Sequence, residues 1–177
     1  MSRPKRQEPL FYTAVPSPLG LIGLASSKKG IVRVSVEVKN DTSFAKYLKT
    51  AYRQPLVKNP QAFKEVQNQF NLYFKGKLKK FTCTLDFNHG TLFQSKVWEK
   101  LTTIPYGKTR SYLWLARAIG KPSACRAVGN ANSKNPLSII VPCHRVIREN
   151  GTLGGYTGGI DRKQFLLDLE QNGYGAV

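Results

Sequence analysis

Near residue 90 the hydrophobic pattern of this 177-residue chain changes period, and that change limits the folds open to it. Before it, short apolar runs separated by turn residues read as strands. Phe11 to Val15 is extended and stops at Pro16-Ser17-Pro18-Leu19-Gly20, and Leu21 to Ala25 follows. A Ser26-Ser27-Lys28-Lys29-Gly30 turn then leads into Ile31-Val32-Arg33-Val34-Ser35-Val36. Val32, Val34 and Val36 alternate with polar residues, the two-residue period of a half-buried strand. The three runs predict a small antiparallel meander. A helix is predicted from about Pro60 to Phe74, with Phe63, Val66, Phe70 and Phe74 on one face and Gly76 as its stop. The cluster Lys75, Lys77, Lys79 and Lys80 reads as a solvated loop, with a phosphate contact as the alternative.

From Thr91 onward the period is helical. Thr91 and Gln94 have the spacing of a capping box, and Phe93, Val97 and Leu101 give an apolar face that ends before Pro105-Tyr106-Gly107. Ser111 opens a second helix, with Leu115 and Ile119 inward and Gly120 as C-terminal stop. A third, rich in small residues, runs from Ala124 through Cys125-Arg126-Ala127-Val128-Gly129-Asn130 to Ala131. Helix, short Gly-containing turn, helix is helix-turn-helix patterning. A last helix is predicted to start at Asp161, with Gln164 completing its cap, Ile160 and Phe165 as a hydrophobic staple, and Gly173 as its end. The chain thus divides into an α/β unit over residues 1–90 and a mainly helical unit over 91–177.

Charge narrows the partners. Lys and Arg number 28 against 10 Asp and Glu, a formal net charge of +18. Such an excess favours a polyanion, because neutralising phosphates releases counterions. Residues 1–90 hold 16 of the cations and 91–177 the other 12, with 5 acids in each half, so charge alone does not locate a binding face. Three cysteines without CxxC spacing (Cys83, Cys125, Cys143) argue against a disulfide framework and for a reducing compartment. His89 and His144 make no metal-ligand spacing, so no metal is expected. Met1-Ser2-Arg3-Pro4-Lys5-Arg6 is basic but lacks the apolar core of a signal peptide. No apolar run approaches the ~18 residues of a membrane span. A soluble intracellular protein is expected.

The chemistry concentrates in Ile139-Ile140-Val141-Pro142-Cys143-His144-Arg145-Val146-Ile147, a greasy, strand-like run holding a thiol, an imidazole and a guanidinium side by side. A thiol is a useful nucleophile only as the thiolate, which needs a nearby base or cation. Ile104-Pro105-Tyr106-Gly107, Arg126-Ala127-Val128-Gly129, Asn135-Pro136, Val141-Pro142-Cys143-His144-Arg145-Val146 and Tyr156-Thr157-Gly158-Gly159 follow one another in the order and spacing of a known family. The chain resembles the O6-alkylguanine-DNA alkyltransferases, densely over residues 91–173 and more weakly before.

The resemblance implies a ribonuclease-H-like α/β N-terminal domain with a small antiparallel sheet. It also implies a mainly α-helical C-terminal domain with a winged helix-turn-helix-like DNA-binding motif. It implies DNA repair by irreversible, stoichiometric transfer of an alkyl group from O6 of guanine, and from O4 of thymine, to Cys143, with no cofactor. His144 would draw the thiol proton away through a water, Glu170 would orient and charge-balance the imidazole, and Asn135 would brace the turn. Arg126 would fill the gap left by the extruded nucleotide, since chemistry on a base inside a duplex is sterically blocked. Tyr106 would contact the base edge and a phosphate. Tyr156 and Thr157 would form a flap over the pocket, and the carbonyls of Cys143 and Val146 would accept from the exocyclic amine. The family's helix enters the minor groove, so weak sequence preference is expected. Thr157 stands where the family often has serine. The implied partner is double-stranded DNA containing O6-alkylguanine, with no membrane. The protein would act as a monomer, cytoplasmic in a bacterium and nuclear in a eukaryote. Three other functions compete. A non-catalytic lesion sensor would lack the acceptor Cys143. A helix-turn-helix regulator would carry base-reading polar residues where Ala124 to Ala131 is mostly small and apolar. A thiol hydrolase would turn over.

Overall fold

In the computed structural model, which describes residues 8–173, tight turns build the first half. Strand β1 (Leu10–Ser17) returns as β2 (Gly20–Ser27), and β2 returns as β3 (Gly30–Val38), both pairs antiparallel. Gly30 is required twice over. Its φ is +146°, and a Cβ there would lie 2.5 Å from the Thr84 carbonyl oxygen. That approach lets the segment around Thr84 bond the start of β3, with Ile31 N–H donating to the Thr84 carbonyl at 2.9 Å.

The expected meander gains a fourth strand. Helix α1 (Asp41–Tyr52) crosses over to β4 (Leu56–Lys58), which pairs parallel to β1, so the sheet is mixed with order β3-β2-β1-β4. Neither element was anticipated, because α1 buries only Phe44 and Leu48 and β4 is three residues long. The alternation expected for Val32, Val34 and Val36 also breaks. The β2–β3 register shifts between Ala25 and Ser26, so Val32 packs with Phe44 and Leu48 while Val34 faces the main core. The sheet is therefore covered by α1 on one face and by the rest of the molecule on the other.

A 3-10 turn (Pro60–Phe63) leads into α2 (Lys64–Phe74), whose Val66, Phe70, Tyr73 and Phe74 are buried. Each such side chain contributes about 1.5–3 kcal/mol on burial. Helix α3 (Leu92–Leu101) has the expected capping box, with Gln94 N–H donating to Thr91 Oγ1 at 3.2 Å and Thr91 N–H to Gln94 Oε1 at 2.9 Å. Helix α4 (Tyr112–Ala118) is capped by Ser111, and α5 (Cys125–Ser133) follows to complete the helix pair. Trp98 Nε1–H, donating to the Ala131 carbonyl at 2.8 Å, ties α3 to α5. Strands β5 (Arg110–Ser111) and β6 (Val146–Ile147) pair parallel beside them.

Helix α6 (Ile160–Asn172) starts differently from the expectation. Gly159, at φ +94°, is the N-cap, no side chain caps the helix, and Ile160 is exposed. Asp161 already lies in the first turn, and Gln164 Nε2 donates to Asp168 at 2.7 Å instead of reaching back. A glycine N-cap has no side-chain acceptor, so the box cannot form. One apolar cluster runs from Val15, Ile22 and Val34 through α2 and α3 to Leu166 and Leu169, joining the two halves of the chain. No helix among the described residues is long and apolar enough to cross a membrane. The basic run at residues 1–6 lies outside the described residues.

Candidate active site

The apolar run that carries the thiol is a chain of tight turns, and only Val146–Ile147 is strand. Val141 N–H donates to the Leu137 carbonyl at 2.8 Å, and Ile140 N–H to the Ser138 carbonyl at 2.9 Å. The second bond closes a γ-turn that puts Ile139 at φ +74°. For a β-branched residue this conformation stores roughly 1–3 kcal/mol of strain. Pro142, at φ −81° and ψ 62°, then forms an inverse γ-turn, with Cys143 N–H donating to the Val141 carbonyl at 2.8 Å. The proline ring fixes that angle and removes an N–H, so no ladder extends through it. Asn135 braces the turns from inside. Its Nδ2 donates to the Val141 carbonyl at 2.8 Å, and its Oδ1 accepts from Leu137 N–H at 2.9 Å.

Cys143 opens a 3-10 turn (Cys143–Arg145) and is 4% exposed. Burial pushes its thiol pKa up, offset in part by Asn135 and by the charge of Lys163. His144 is fully buried, and its Nε2 lies 2.9 Å from Glu170 Oε1. A carboxylate only accepts, so Nε2 carries the proton and Nδ1 keeps its lone pair. Among the described residues Nδ1 has no hydrogen-bond partner. Burial pushes the imidazole pKa down, and the bond to Glu170 only partly opposes it, so the ring is neutral near pH 7.

Glu170 does more than orient the imidazole. Arg145 grips it with two bonds, Nε to Oε2 at 2.8 Å and Nη2 to Oε1 at 2.9 Å. Tyr73 O–H donates to Oε1 at 2.6 Å and Gly107 N–H to Oε2 at 3.1 Å. Burial alone would raise this carboxyl, but bonds and charge from His144 and Arg145 hold it well below the usual carboxylate range. Arg145 Nη1 also donates to the Ile104 carbonyl at 2.5 Å.

A cleft of about 480 Å³ is lined by Tyr112, Asn132, Arg148, Tyr156 and Thr157, among others, and from its wall Asn132 Nδ2 donates to the Cys143 carbonyl. Thr157 Oγ1 donates to the Ser133 carbonyl at 2.6 Å and so pins the flap to α5. On α5, Val128 and Ala131 face inward while Arg126, Ala127 and Asn130 are exposed. The structure does not bring Tyr106 into this group. Its ring packs edge-on to Tyr73 and under Arg145, and its hydroxyl donates to the Leu169 carbonyl at 3.3 Å. Tyr112 is the tyrosine that lines the flap's cleft. The two carbonyls expected to receive a base amine already have protein donors. Val146 N–H and Asn132 Nδ2 (3.4 Å) donate to Cys143, and Lys163 Nζ donates to Val146 at 2.6 Å. The two donors match both lone pairs of the Cys143 oxygen, whereas Lys163 takes one of the two on Val146.

Sequence reasoning missed Tyr73, Tyr112 and Lys163, and saw Arg145 only as a cation beside the thiol. Nothing in the sequence separates Tyr73 from its core neighbours. Lys163 and Glu170, seven residues apart, share a face of one helix, a spacing that was open to inspection.

Known proteins match this chain over both of its halves. Residues 10–87 match the 6-O-methylguanine DNA methyltransferase, ribonuclease-like domain, and residues 92–172 match the DNA binding domain of the same family. The chain belongs to the 6-O-methylguanine DNA methyltransferase family. It is 43% identical to the methylated-DNA–protein-cysteine methyltransferase of Methanosarcina barkeri, over 92% of this chain and 98% of that one. To the protein of the same name from Mycolicibacterium paratuberculosis it is 46% identical, over 90% and 92%. Among solved structures it resembles Mycobacterium tuberculosis OGT in complex with DNA, with TM-score 0.82 and 43% identity over 94% of this chain and 96% of that one.

Proposed function

We propose that this chain repairs double-stranded DNA by moving the alkyl group of O6-alkylguanine, and of O4-alkylthymine, onto Cys143 of its own chain, once per molecule. Cys143 Sγ attacks the alkyl carbon, the carbon–oxygen bond breaks, and its electron pair stays on the base oxygen. The thiol proton passes through a water to Nδ1 of His144 and is handed on through solvent to the ring nitrogen of the base, so the imidazole ends neutral as it began. Atoms and charge balance without a cofactor, and the thioether formed has no easy route back to thiol.

Burial first raises the thiol pKa, so the resting group is protonated and survives bulk solvent. It is activated when the neutral imidazole takes its proton, and Glu170 then faces an imidazolium. Arg145 and Tyr73 hold Glu170, and through it the ring. Asn135 holds the turn that aims Sγ. Arg126, exposed on α5, enters the stack from the minor groove while the target base swings out beneath Tyr156 and Thr157, with Tyr112 at the cleft wall. Residues 91–177 carry all of these groups except Tyr73. The protein works as a monomer in the compartment of its DNA, the cytoplasm in a bacterial cell.

The observation that carries this reading is the placement of Cys143. It is buried next in the chain to a neutral imidazole whose Nδ1 has no hydrogen-bond partner among the described residues, and its carbonyl accepts from Asn132 on the wall of the cleft that Tyr156 and Thr157 line. Intact-mass measurement after mixing with a duplex containing O6-methylguanine tests it. One methyl per chain, on the peptide containing Cys143 and absent in Cys143→Ser, is expected. Unmodified protein with product released over many turnovers indicates a hydrolase and ends this reading.

A further inference from the structure

Lys163 is 0% exposed, yet it is an ammonium. Among the described residues no carboxylate lies within ion-pair distance of it, and its partners are backbone carbonyls. Nζ donates to Val146 at 2.6 Å, to Leu153 at short range, and to Gly155 at 3.4 Å. Burying an ammonium is costly, and an apolar side chain of similar length would fill the space without that cost. What only lysine supplies is three donors on one atom and no acceptor.

The three acceptors come from two places that matter for the reaction. Val146 directly follows the 3-10 turn that holds Cys143 and His144. Leu153 and Gly155 form the foot of the flap whose tip is Tyr156 and Thr157. Residues 152–156 belong to no helix or strand; the Thr152 and Tyr156 carbonyls accept from Arg148 and Gly159 N–H, and no ladder bond holds those of Leu153 and Gly155. Seven residues further along the same face of α6, about 10 Å at ~1.5 Å per residue, Glu170 holds His144 and Arg145. One helix thus grips the site at both ends, with a cation at the flap and an anion at the base.

We propose that Lys163 is a positioning residue that ties the turn bearing Cys143 to the flap bearing Tyr156 and Thr157. A swung-out base then meets thiol and cover already set at a fixed separation. The inference rests on the alkyl-transfer reading above, and its structural half is testable without DNA.

The test uses the full chain and the variants Lys163→Met and Lys163→Gln, the second keeping two N–H donors. Native-state hydrogen exchange should show protection lost at residues 152–158 in Lys163→Met and retained in α2 and α3. With saturating O6-methylguanine duplex, the first-order transfer rate should fall about 100-fold, the cost of an ångström-scale misplacement. Affinity for undamaged duplex should stay within about 2-fold, because Lys163 is buried and the exposed cations available to phosphates are unchanged. Lys163→Gln should recover part of both the protection and the rate, and it carries the test if Lys163→Met does not fold. Unchanged protection at 152–158, or protection lost evenly over the chain, overturns the proposal. So does a flap that loosens while transfer at saturation stays at the wild-type rate. If the unaltered protein transfers no alkyl group, the function reading fails by itself, and the exchange result still decides the tether.

Discussion

Replacing Glu170 with glutamine removes one charge and one acceptor from the most densely bonded side chain in the site. Oε1 accepts from Tyr73, His144 and Arg145, and Oε2 from Arg145 and Gly107. An amide keeps a single oxygen. If that oxygen faces the three donors, its NH₂ is pressed against Arg145 Nε–H and Gly107 N–H. Arg145, 6% exposed, is then a buried cation without its anion. Breaking a buried pair from one side costs about 3–5 kcal/mol. For a chain of this size, ~2–4 °C per kcal/mol puts the midpoint roughly 6–20 °C lower. Denaturant unfolding at pH 7, followed by the fluorescence of buried Trp98, measures the loss directly.

The pH dependence gives an independent check. In the folded chain the Glu170 carboxyl sits well below its ordinary value of 4.5, so below that pH the unfolded chain binds a proton that the native state does not. The stability it contributes is full above about pH 4.5 and is lost as pH falls, at up to ~1.4 kcal/mol per pH unit. Wild type and Glu170→Gln should therefore differ most at neutral pH and converge in acid. A loss under about 1 kcal/mol at pH 7, or a gap constant down to pH 3, refutes the assignment of Glu170 as a buried, ionised hub.

Asn135→Ala orphans the Leu137 N–H and leaves the Val141 carbonyl with Cys143 N–H alone, which should cost about 1–3 kcal/mol and slow transfer, read by unfolding and by single-turnover rate. Arg126→Ala, at an exposed position on α5, should leave stability within ~0.5 kcal/mol while lowering transfer on duplex more than tenfold, comparing melting with single-turnover rates. Thr91→Ala removes the cap of α3 and should cost about 1 kcal/mol in unfolding free energy without altering the transfer rate at saturation. His144, buried and neutral, adds acid lability of the same sign as Glu170. Its pKa is lowered from 6.5, so its contribution begins to fall below that pH, and His144→Gln should flatten the stability curve on the acid side of pH 6.5.

Much of the fold is legible locally. The hairpins follow from turn residues and short-range alternation, and the start of α3 follows from Thr91 and Gln94 within one turn. Where a distant contact competes, local reading fails. Val32 changes face because the β2 register shifts, and α1 and β4 were missed because their stability comes from the sheet they cover or extend. The expected cap at Asp161 failed because the backbone turns at Gly159 first.

The sequence by itself determined the chemistry on offer: a cysteine followed by histidine and arginine after a proline, in a strongly basic chain, with Glu170 and Asn135 at meaningful spacings. Tertiary structure decided which groups meet. Tyr73 reaches Glu170 across 97 positions and Gly107 across 63. It is Tyr112 that lines the flap's cleft, while Tyr106 packs under Arg145. Periodicity and capping are properties of neighbours along the chain, whereas a buried charge is satisfied by whatever the packing of α2 and α6 against the loops brings within 3 Å or so, and no local pattern encodes that.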